Sequence, residues 1–388
     1  MIEDEIKDRL RRLLSEHPPA TTDVRTFLGA QFDLGLAWVR FPEGLGGLNA
    51  PQAMQSLVDQ TLREAGATHC FEVNPIGYGM AAPTLVAFAD KEDLDRFLRP
   101  LFTGEEVWCQ MFSEPGAGSD VAGLATQATR DGDDWVVNGQ KVWTSLAHLA
   151  RRGLLLARTD PNVPKHTGLT YFYVDMQAPG VDVRPLRQAT GDAEFNEVYL
   201  TDLRIPDSQR LGEVGDGWKV AITTLMNERV AIGGKVGGRG SGPIGEAVTT
   251  WRERGENPEY RDRLLQLWMR SEVLRLTNQR ARELAVTGKT PGPEGSIGKL
   301  MDGELNQEIY NLCVDMLGAD GALYPQTYAM KDRAERSEDV RYRNLRALAN
   351  TIEGGTSEVM RNILGERVLG LPAEPRVDKA VAWKDAPR

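Results

Sequence analysis

The stretch Gln110–Asp120 reads QMFSEPGAGSD, and it decides how the rest of the chain is interpreted. Two glycines, Gly116 and Gly118, stand among hydroxyl and carboxyl side chains. Glycine lets backbone N–H groups approach a ligand closely, and the hydroxyls of Ser113 and Ser119 add polar contacts. The same composition suits a plain turn between a helix and a strand. This stretch alone therefore leaves a ligand cradle and a simple turn as alternatives.

The pattern of apolar and turn-forming residues divides the chain into three zones. Residues 1–108 read as helices punctuated by turns, residues 109–213 as short β-strands, and residues 214–388 as long helices ending in a tail that we expect to be loose from Leu371. Asn138–Gly139 between two apolar runs predicts a hairpin, because such a turn needs residues that tolerate positive φ. Several closely spaced strands indicate a small barrel or sandwich. The sequence predicts an α+β multidomain protein with a helical, a β and a second helical domain in that order.

Composition and charge argue against several classes of protein. The chain has 388 residues, a net charge of −10 and a pI near 5.2. Nucleic-acid binding depends largely on neutralising phosphates, so an acidic chain is a poor candidate for it. Three scattered cysteines and four histidines, none at ligand spacing, predict neither a disulfide framework nor a metal site. No apolar run approaches the ~20 residues of a membrane span and no signal-peptide pattern opens the chain, so we expect a cytoplasmic protein that binds no membrane.

Three further motifs help to decide between the alternatives for residues 110–120. They are NGQKVWTS at 138–145, GDGW at 215–218 and TIEGGTSEVMRN at 351–362. Together with 110–120, and in this order, they resemble the landmarks of the acyl-CoA dehydrogenase family over nearly the whole chain. The resemblance implies an N-terminal α-helical domain, a middle β domain and a C-terminal four-helix bundle. It also implies FAD lodged between domains, in a homotetramer or a mixed tetramer or dimer.

The resemblance assigns the flavin-binding residues as well. The implied contacts are Gln110, Met111, Phe112, Ser113, Gly118, Ser119, Trp143, Thr144, Ser145, Thr356, Ser357 and Glu358. The indole of Trp143 is suited to lie against a planar ring, although a core tryptophan is the alternative. Many relatives carry Ile-Thr after this tryptophan; here Thr144 takes the Ile position and Ser145 retains the hydroxyl. A helix that begins near Thr356 is suited to hold the FAD pyrophosphate.

The catalytic base has two candidates. In one branch of the family a glutamate stands directly before the C-terminal Gly-Thr-Ser, but here Gly354 occupies that place and Glu353 lies one residue earlier. In the other branch the base precedes an arginine on the helix after the β domain, which matches Glu228 before Arg229. The resemblance favours Glu228, with Gly354 leaving space for its carboxylate and Glu353 as the rival. The alternative is that Glu228 and Arg229 are ordinary helix charges.

The helix that carries Glu228 has a predicted apolar stripe. Its members, at helical spacing, are Trp218, Ile222, Leu225, Met226 and Ile232. Glu228 lies at the edge of this stripe, where partial desolvation raises the pKa of a carboxylate and suits a base. Arg229 lies nearer the middle, where a buried guanidinium needs an anion.

The resemblance implies a set of substrate contacts. They are Ser119, Asn227, Arg229, Gly354 and Gly355. The backbone N–H of Gly354 is the expected donor to the thioester oxygen, together with a hydroxyl of the flavin, and a backbone donor survives a change of side chain.

The implied reaction is the α,β-dehydrogenation of an acyl-CoA thioester to the trans-2-enoyl-CoA. A base removes the α-proton, and the flavin accepts the hydride from the β-carbon because no side chain can accept one. The expected electron acceptor is an electron-transferring flavoprotein. Two alternatives stay open: a related flavin oxidase that reacts with O₂, and a catalytically silent subunit of a mixed tetramer.

Two segments depart from the family's pattern. Many relatives carry an arginine and a Phe-Gly pair that hold the neighbouring subunit's FAD adenosine, where this chain has only residues 251–258, WRERGENP. The family's Gln-x-x-Gly-Gly becomes DMLGA at residues 315–319. The sequence therefore leaves open which residues hold the adenosine half. A glycine-rich run at 233–242 lacks the spacing of a phosphate loop and is interpreted as a helix break or a site of close packing.

Overall fold

The computed structural model describes residues 2–232, 237–286, 292–324 and 338–387. By its internal contacts the chain forms two units. Within the described residues, the first unit comprises 2–186, 195–228 and 376–387, and the second comprises 187–194 and the described parts of 229–375. The N-terminal helices and the sheet fall in one unit, so the boundaries of the three domains stay predictions.

The first unit begins with helices. Their bounds are Ile2–Glu16 (α1), Val24–Asp33 (α2), Gln55–Glu64 (α3), Cys70–Val73 (α4), Ala82–Phe88 (α5) and Lys91–Thr103 (α6). Helix α2 begins after Asp23, whose carboxylate accepts the N–H of Thr26 at 3.0 Å, and α6 begins in the same way after Asp90. Helix α6 ends at Gly104, whose φ of 74° suits glycine. These caps satisfy backbone groups that a helix end leaves without partners.

Asn74 fixes these helices to the first strand. Its side chain is fully buried, and its Nδ2 donates to the carbonyl oxygens of Leu101 (2.9 Å) and Glu106 (3.1 Å). Its Oδ1 accepts from the N–H groups of Gly77 (3.2 Å) and Trp108 (3.1 Å). Leaving such a buried amide unpaired would cost about 1–3 kcal/mol. This set of bonds therefore fixes the point at which the first strand begins.

The rest of the first unit is built on one mixed β-sheet. Its strands are Trp108–Met111 (β1), Gln127–Asp131 (β2), Asp134–Ser145 (β3), Arg152–Arg158 (β4), Leu169–Asp175 (β5), Val181–Leu186 (β6), Phe195–Pro206 (β7) and Arg210–Leu211 (β8). The strand order is β6-β7-β3-β2-β4-β5-β8, and β1 pairs in parallel with β4. Strand β4 thus pairs with β1 and β2 as well as with β5.

The hairpin predicted at Asn138–Gly139 is wrong. Both residues lie inside β3, at a register shift against β7. A Cβ built on Gly139 would lie 2.7 Å from the Cα of Thr126, so glycine serves here for close approach of two chain segments. The turn between β2 and β3 falls at Gly132 instead, where φ is 64°.

Strand β4 is buried on both faces. Leu154 and Leu156 belong to the core that the sheet shares with the N-terminal helices, whereas Leu155 and Ala157 belong to the core on the other face. A strand covered on both faces reads as a continuous apolar run and not as an alternation. The run of residues 154–157, LLLA, is therefore explained by its central place in the sheet.

Helices follow the sheet. They are Gly217–Ile232 (α7), Pro243–Glu253 (α8), Arg261–Val286 (α9), Ser296–Met316 (α10), Val340–Ala347 (α11) and Ser357–Ile363 (α12). In the second unit, α10 packs against α8, α9, α11 and α12. Its buried residues Leu305, Ile309 and Leu312 form the centre of that unit's core, because their spacing places them on one helix face.

Residues 376–387 pack against the rest of the first unit. The sequence predicted a loose tail from Leu371, which is wrong for these residues. Ala382 pairs with Pro164 in a β-bridge, and the N–H of Trp383 donates to the carbonyl of Val163 at 2.9 Å. Composition alone does not indicate such main-chain pairing, because it depends on where the partner segment lies.

The three cysteines are buried and form no disulfide. Burial raises the pKa of the Cys70 and Cys109 thiols well above the ordinary value, and that of Cys313 to about 12. Among the described residues, no helix combines the length and apolarity needed to cross a bilayer. Across those same ranges, no three His, Cys, Asp or Glu side chains lie together as they would around a metal ion.

Candidate active site

The structure brings the first two predicted flavin segments together in the first unit. After β1 the chain runs beside β3, where the N–H of Val142 donates to the carbonyl of Ser113 at 2.9 Å. The Nζ of Lys141 donates to the carbonyl of Phe112 at 3.1 Å. The two predicted segments, 110–119 and 143–145, are therefore on neighbouring stretches of chain.

A buried ion pair holds these segments in place. Lys141 is fully buried, and its Nζ donates to Glu114 Oε1 (2.9 Å) and to the carbonyl of Leu156 (2.8 Å). The Glu114 carboxylate also accepts the N–H groups of Ala125 (2.7 Å) and Thr126 (2.9 Å). Because each ion has several hydrogen-bond partners, much of its desolvation penalty is offset. Removing either ion would leave the other buried and unpaired, which is strongly destabilising.

Burial and ion pairing have opposing effects on the pKa of each of these two ions. Burial lowers the pKa of Lys141 to about 8, although the charge of Glu114 opposes the change. Burial alone would raise the pKa of Glu114, but the charge of Lys141 and the hydrogen bonds to its carboxylate hold that pKa below its ordinary value. Sequence analysis missed this pair. Its signal was a lysine at an inward position of β3, in step with the buried Trp135 and Val137.

Trp143 lies at a bulge that turns its indole outward. Its φ is 58°, in the left-handed region, and the pairing of β3 with β7 shifts between Lys141 and Thr144. The side chain is 61% exposed and packs edge to face with Phe195, with ring centroids 6.0 Å apart. A bulky residue in this conformation is costly and is typical of functional sites. The core-tryptophan alternative therefore does not hold, and a flat apolar face is presented for a ligand.

Two polar atoms on the strands that carry these segments are buried and have no hydrogen-bond partner among the described residues. They are Oε1 of Gln110, on β1, and Oγ1 of Thr144, on β3. A buried polar group left unsatisfied costs about 1–3 kcal/mol, so a ligand that hydrogen-bonds these two atoms would remove that cost. The isoalloxazine of FAD has polar edges and a flat face, so these residues fit it. Ser145 follows at the end of β3 and is partly exposed.

The other predicted residues of the first segment divide into two groups. Met111 and Phe112 are buried core residues, so only their main-chain atoms are placed to serve a ligand. Gly118 and Ser119 are exposed. A Cβ built on Gly116 or Gly118 would meet no atom within 4 Å, and neither has a positive φ. Nothing in the fold itself requires glycine at these two positions, which favours a role toward a ligand.

The apolar stripe predicted for α7 is confirmed for Trp218 and Leu225, which pack against the core of the first unit, and is wrong for Ile222 and Met226. The side chain of Ile232 lies outside the described residues. Ile222 and Met226 are 40% and 48% exposed, whereas Val220, Ala221 and Thr224 are buried. The packed face is therefore rotated from the predicted one. The reason is a buried threonine, which a count of apolar residues does not include.

A hydroxyl network fixes α7 from this buried face. Thr224 Oγ1 lies 2.9 Å from Thr84 Oγ1 and 3.0 Å from the hydroxyl of Tyr171. Thr224 also donates to the carbonyl of Val220 one turn earlier, at 3.2 Å. Three hydroxyls that satisfy one another allow a polar cluster in a core at little cost.

The predicted base lies at the edge of the described residues. The backbone of Glu228 and Arg229 is helical within α7, but their side chains lie outside the described residues. Glu228 follows Thr224 by one helical turn. The amide of Asn227 donates to the carbonyl of Thr223 at 2.8 Å, so one of its donors is used within the helix.

In the second unit, both carboxylate oxygens of Glu353, the rival base, accept hydrogen bonds. Arg346 donates to both carboxylate oxygens of Glu353, at 3.2 and 2.9 Å, and Asn350 donates to Oε1 at 2.7 Å. Arg346 also lies 3.5 Å from Glu194. This arrangement is that of a structural ion pair with specific geometry.

The glycines after Glu353 have a conformational reason. Gly354 and Gly355 have φ values of 65° and 100°, which favour glycine. A Cβ on Gly355 would also lie 2.5 Å from the Cε of Met360. Thr356 then caps α12 by accepting the N–H of Val359 at 3.2 Å, while Ser357 is buried and Glu358 is exposed.

The two segments that depart from the family's pattern lie together. The hydroxyl of Tyr260 donates to the carbonyl of Asp315 at 3.2 Å, and both residues line a surface cavity of about 160 Å³ with Trp251, Arg254 and Gly318. Of the glycine-rich run, residues 233–236 lie outside the described residues. Arg239 lies over the ring of Trp268 and 3.7 Å from Glu272.

Two family models match the chain. The acyl-CoA dehydrogenase middle-domain model matches residues 109–203, and the C-terminal-domain model matches residues 215–369. Acyl-CoA dehydrogenase IpdE1 of Mycobacterium tuberculosis is 37% identical over 359 residues, which cover 88% of this chain and 86% of IpdE1. This chain belongs to the acyl-CoA dehydrogenase family. The family assigned from the motifs is confirmed, and with it an oxidoreductase family that depends on flavin.

Further similar proteins and solved structures support the assignment of this chain to the acyl-CoA dehydrogenase family. FadE34 of M. tuberculosis is 41% identical over 340 residues, covering 88% of this chain and 45% of FadE34, so the chain spans less than half of that relative. The solved structure Tcur3481-Tcur3483 steroid ACAD matches with a TM-score of 0.75 and 27% identity, covering 95% of this chain and 93% of the other. The ChsE4-ChsE5 complex from M. tuberculosis matches with a TM-score of 0.71 and 29% identity, covering 95% and 98%. The α+β multidomain fold class is confirmed.

Proposed function

We propose that this chain binds FAD beside Trp143 and oxidises an acyl-CoA thioester to the trans-2-enoyl-CoA. The main support is that Gln110 Oε1 and Thr144 Oγ1 are buried without partners, on two segments that hydrogen-bond each other next to an exposed indole. FAD bound there supplies the hydride acceptor that no side chain provides.

The proposed cofactor contacts are those that the motifs implied. In the first unit they are Gln110, Ser113, Gly118, Ser119, Trp143, Thr144 and Ser145, with the main chain of Met111 and Phe112. In the second unit Thr356, Ser357 and Glu358 are proposed to meet the pyrophosphate. The Lys141–Glu114 pair positions the first set through Phe112 and Ser113, because it fixes the main chain from which those contacts come.

The proposed base is Glu228. It takes the proton from the α-carbon, while the N–H of Gly354 donates to the thioester oxygen and so stabilises the charge that develops there. Asn227, Arg229, Ser119 and Gly355 are proposed to contact the substrate. The hydroxyl network at Thr224 supports this assignment, since it holds α7 one turn before Glu228.

The state of Glu353 also favours Glu228. Arg346 and Asn350 occupy both oxygens of Glu353. Both oxygens are thus oriented by neighbours in the same unit, as in a structural ion pair. We therefore assign Glu353 a structural role.

The test is an anaerobic titration of the purified flavoprotein with acyl-CoA thioesters, followed by bleaching of the flavin absorbance. Glu228→Gln should slow bleaching by about 10²–10⁴-fold and leave the flavin content unchanged, because a positioned base contributes about that factor. Glu353→Gln is the matched control and should keep its rate within about tenfold while losing stability. Full turnover in Glu228→Gln with flavin bound would exclude the assignment.

We propose a ring-bearing acyl group as the substrate class. Solved structures named steroid ACAD are 27% identical to this chain. Cyclohexane-1-carbonyl-CoA dehydrogenase of Geobacter metallireducens is 30% identical over 315 residues, which cover 81% of that enzyme. The titration should therefore compare a steroid acyl-CoA and cyclohexane-1-carbonyl-CoA with butyryl-CoA and octanoyl-CoA. Faster bleaching by both straight-chain thioesters would refute the ring-bearing class.

The proposed electron acceptor is an electron-transferring flavoprotein. CarC, a caffeyl-CoA reductase-Etf complex subunit of Acetobacterium woodii, is 25% identical to this chain over 374 residues. The rival is an oxidase that passes electrons to O₂. Stoichiometric peroxide during aerobic turnover would favour the oxidase, and turnover that needs an added flavoprotein would favour the dehydrogenase.

We further propose that the chain works in an oligomer, with copies of itself or with a related chain. Helix α9 carries a stripe of exposed apolar residues at helical spacing: Leu265, Met269, Val273 and Leu276, each at least 50% exposed. Contiguous exposed apolar surface of this kind marks an interaction face. Native mass spectrometry of the chain alone and co-expressed with a related dehydrogenase chain distinguishes a homotetramer, a mixed tetramer or dimer, and a monomer. The monomer in both samples would contradict this proposal.

A further inference from the structure

The C-terminal residues 376–387 lie against the loop that joins β4 to β5. Ala382 pairs with Pro164, and the N–H groups of Trp383 and Lys384 donate to the carbonyls of Val163 (2.9 Å) and Pro161 (3.1 Å). These main-chain bonds place the side chains of the segment at a fixed register along the loop. We call residues 376–387 the clasp.

The side chain of Trp383 reaches the turn that follows the flavin segment. Its Nε1 donates to the carbonyl of Gly123 at 3.1 Å. Its ring lies 4.3 Å from the guanidinium of Arg158. Arg158 is 2% exposed and donates to the carbonyls on either side of Gly123, those of Ala122 (2.6 Å) and Leu124 (3.1 Å). One indole and one guanidinium thus hold three consecutive carbonyls.

A second contact reaches the residue directly after Ser119. Lys165 Nζ lies 2.8 Å from an oxygen of Asp120 and 2.5 Å from an oxygen of Asp378. Lys165 is mostly buried, at 14% exposure, so its two ion pairs are less screened than surface pairs. The clasp therefore contacts residues 120–124 directly at Gly123, through Trp383, and indirectly at Asp120, through the Lys165 ammonium that Asp378 shares.

We propose that the clasp holds residues 119–124 in the conformation that FAD binding needs, with Asp378 and Trp383 as positioning residues. This inference rests on the proposed function for the identity of the ligand. Gly118 and Ser119 are exposed and have little packing of their own. A segment that is ordered before the cofactor arrives loses less conformational freedom on binding, so it binds more tightly.

The test uses the full chain and two readouts. The first is hydrogen–deuterium exchange of peptides covering 116–124 after the flavin has been removed. The second is the dissociation constant for FAD. Trp383→Ala and Asp378→Asn are the variants, and Val377→Ala, which changes an exposed side chain of the same clasp, is the matched control.

In Trp383→Ala and Asp378→Asn we expect faster exchange in 116–124 and unchanged exchange in β5. The FAD dissociation constant should rise about tenfold in Trp383→Ala and less in Asp378→Asn. Val377→Ala should change neither readout. Trp383→Phe should recover part of the affinity, because it keeps a ring near Arg158. Exchange or affinity equal to wild type in both variants would overturn the proposal. A wild-type chain that takes up no FAD would instead overturn the proposed function, while the exchange rates would still decide for or against the clasp.

Discussion

The predicted flavin segment of the first unit and the Glu353–Ser357 turn of the second unit both carry motifs of the family but differ physically. Around Trp143 the buried Gln110 Oε1 and Thr144 Oγ1 have no partner, and the indole itself is exposed. Around Glu353 each carboxylate oxygen accepts a hydrogen bond from a neighbour in the same unit. The first region thus leaves polar atoms available to a ligand, whereas in the second the carboxylate of Glu353 is paired within its own unit.

This difference separates two kinds of glycine. Gly118 has an ordinary φ and open surroundings, so the fold does not require it. Gly354 has a φ of 65°, which a side chain rarely adopts. The backbone therefore accounts for the glycine at 354 but not for the glycine at 118, and the structure is needed to tell the two apart.

The largest expected effect comes from breaking the buried pair behind the flavin segment. Lys141→Met keeps the volume of the side chain but leaves Glu114 buried without its counter-ion, which should cost about 3–5 kcal/mol of unfolding free energy. Urea unfolding followed by tryptophan fluorescence measures it. The double variant Lys141→Met with Glu114→Gln should recover much of the loss, because it removes the stranded charge. A loss below about 1 kcal/mol in the single variant would show that the pair does not anchor the segment.

The same pair should make the stability of the chain depend on pH in acid. The folded chain holds the pKa of Glu114 below its ordinary value of 4.5, so the unfolded chain binds more protons there as pH falls. Glu114 therefore contributes stability that is fully present above pH 4.5 and is lost as pH falls through its lower folded pKa, at no more than about 1.4 kcal/mol per pH unit. Urea unfolding from pH 6 to pH 3 should show a shallower fall in Glu114→Gln than in wild type. Parallel curves would contradict this account.

The smallest expected effect tests the two glycines directly. Gly354→Ala should cost about 1–2 kcal/mol of unfolding free energy, because alanine is strained at positive φ. Gly118→Ala should leave stability unchanged or raise it by about 0.4–1 kcal/mol, yet weaken FAD binding. Thermal unfolding and flavin titration of both variants give the comparison. Equal destabilisation by the two changes would remove the distinction between the regions.

The sequence predicted much of the fold because its signals were local. The helical, β and helical order followed from the spacing of apolar residues, and the motifs identified the family. The errors came from contacts between distant segments. The hairpin at Asn138–Gly139 failed because Gly139 serves a close approach to Thr126, and the loose tail failed because its partner lies more than two hundred residues earlier.

The candidate site was predictable in part for the same reason. Residues 110–119 and 143–145 do meet, as the motifs implied. The Lys141–Glu114 pair was not predicted, because a charged residue inside a strand gives no sign of where its partner lies. The buried face of α7 was predicted only in part, because Thr224, a polar residue, lies on that face through bonds to Thr84 and Tyr171.

The buried thiols have a practical consequence for spectroscopy. Because Cys70, Cys109 and Cys313 are all inaccessible and weakly acidic, maleimide or nitroxide reagents should leave the native chain almost unlabelled. A pair of introduced attachment points on exposed residues, Lys91→Cys in one unit and Arg261→Cys in the other, would then carry two probes without background. The interprobe distance, recorded by pulsed electron resonance with and without cofactor, would report the arrangement of the units in solution.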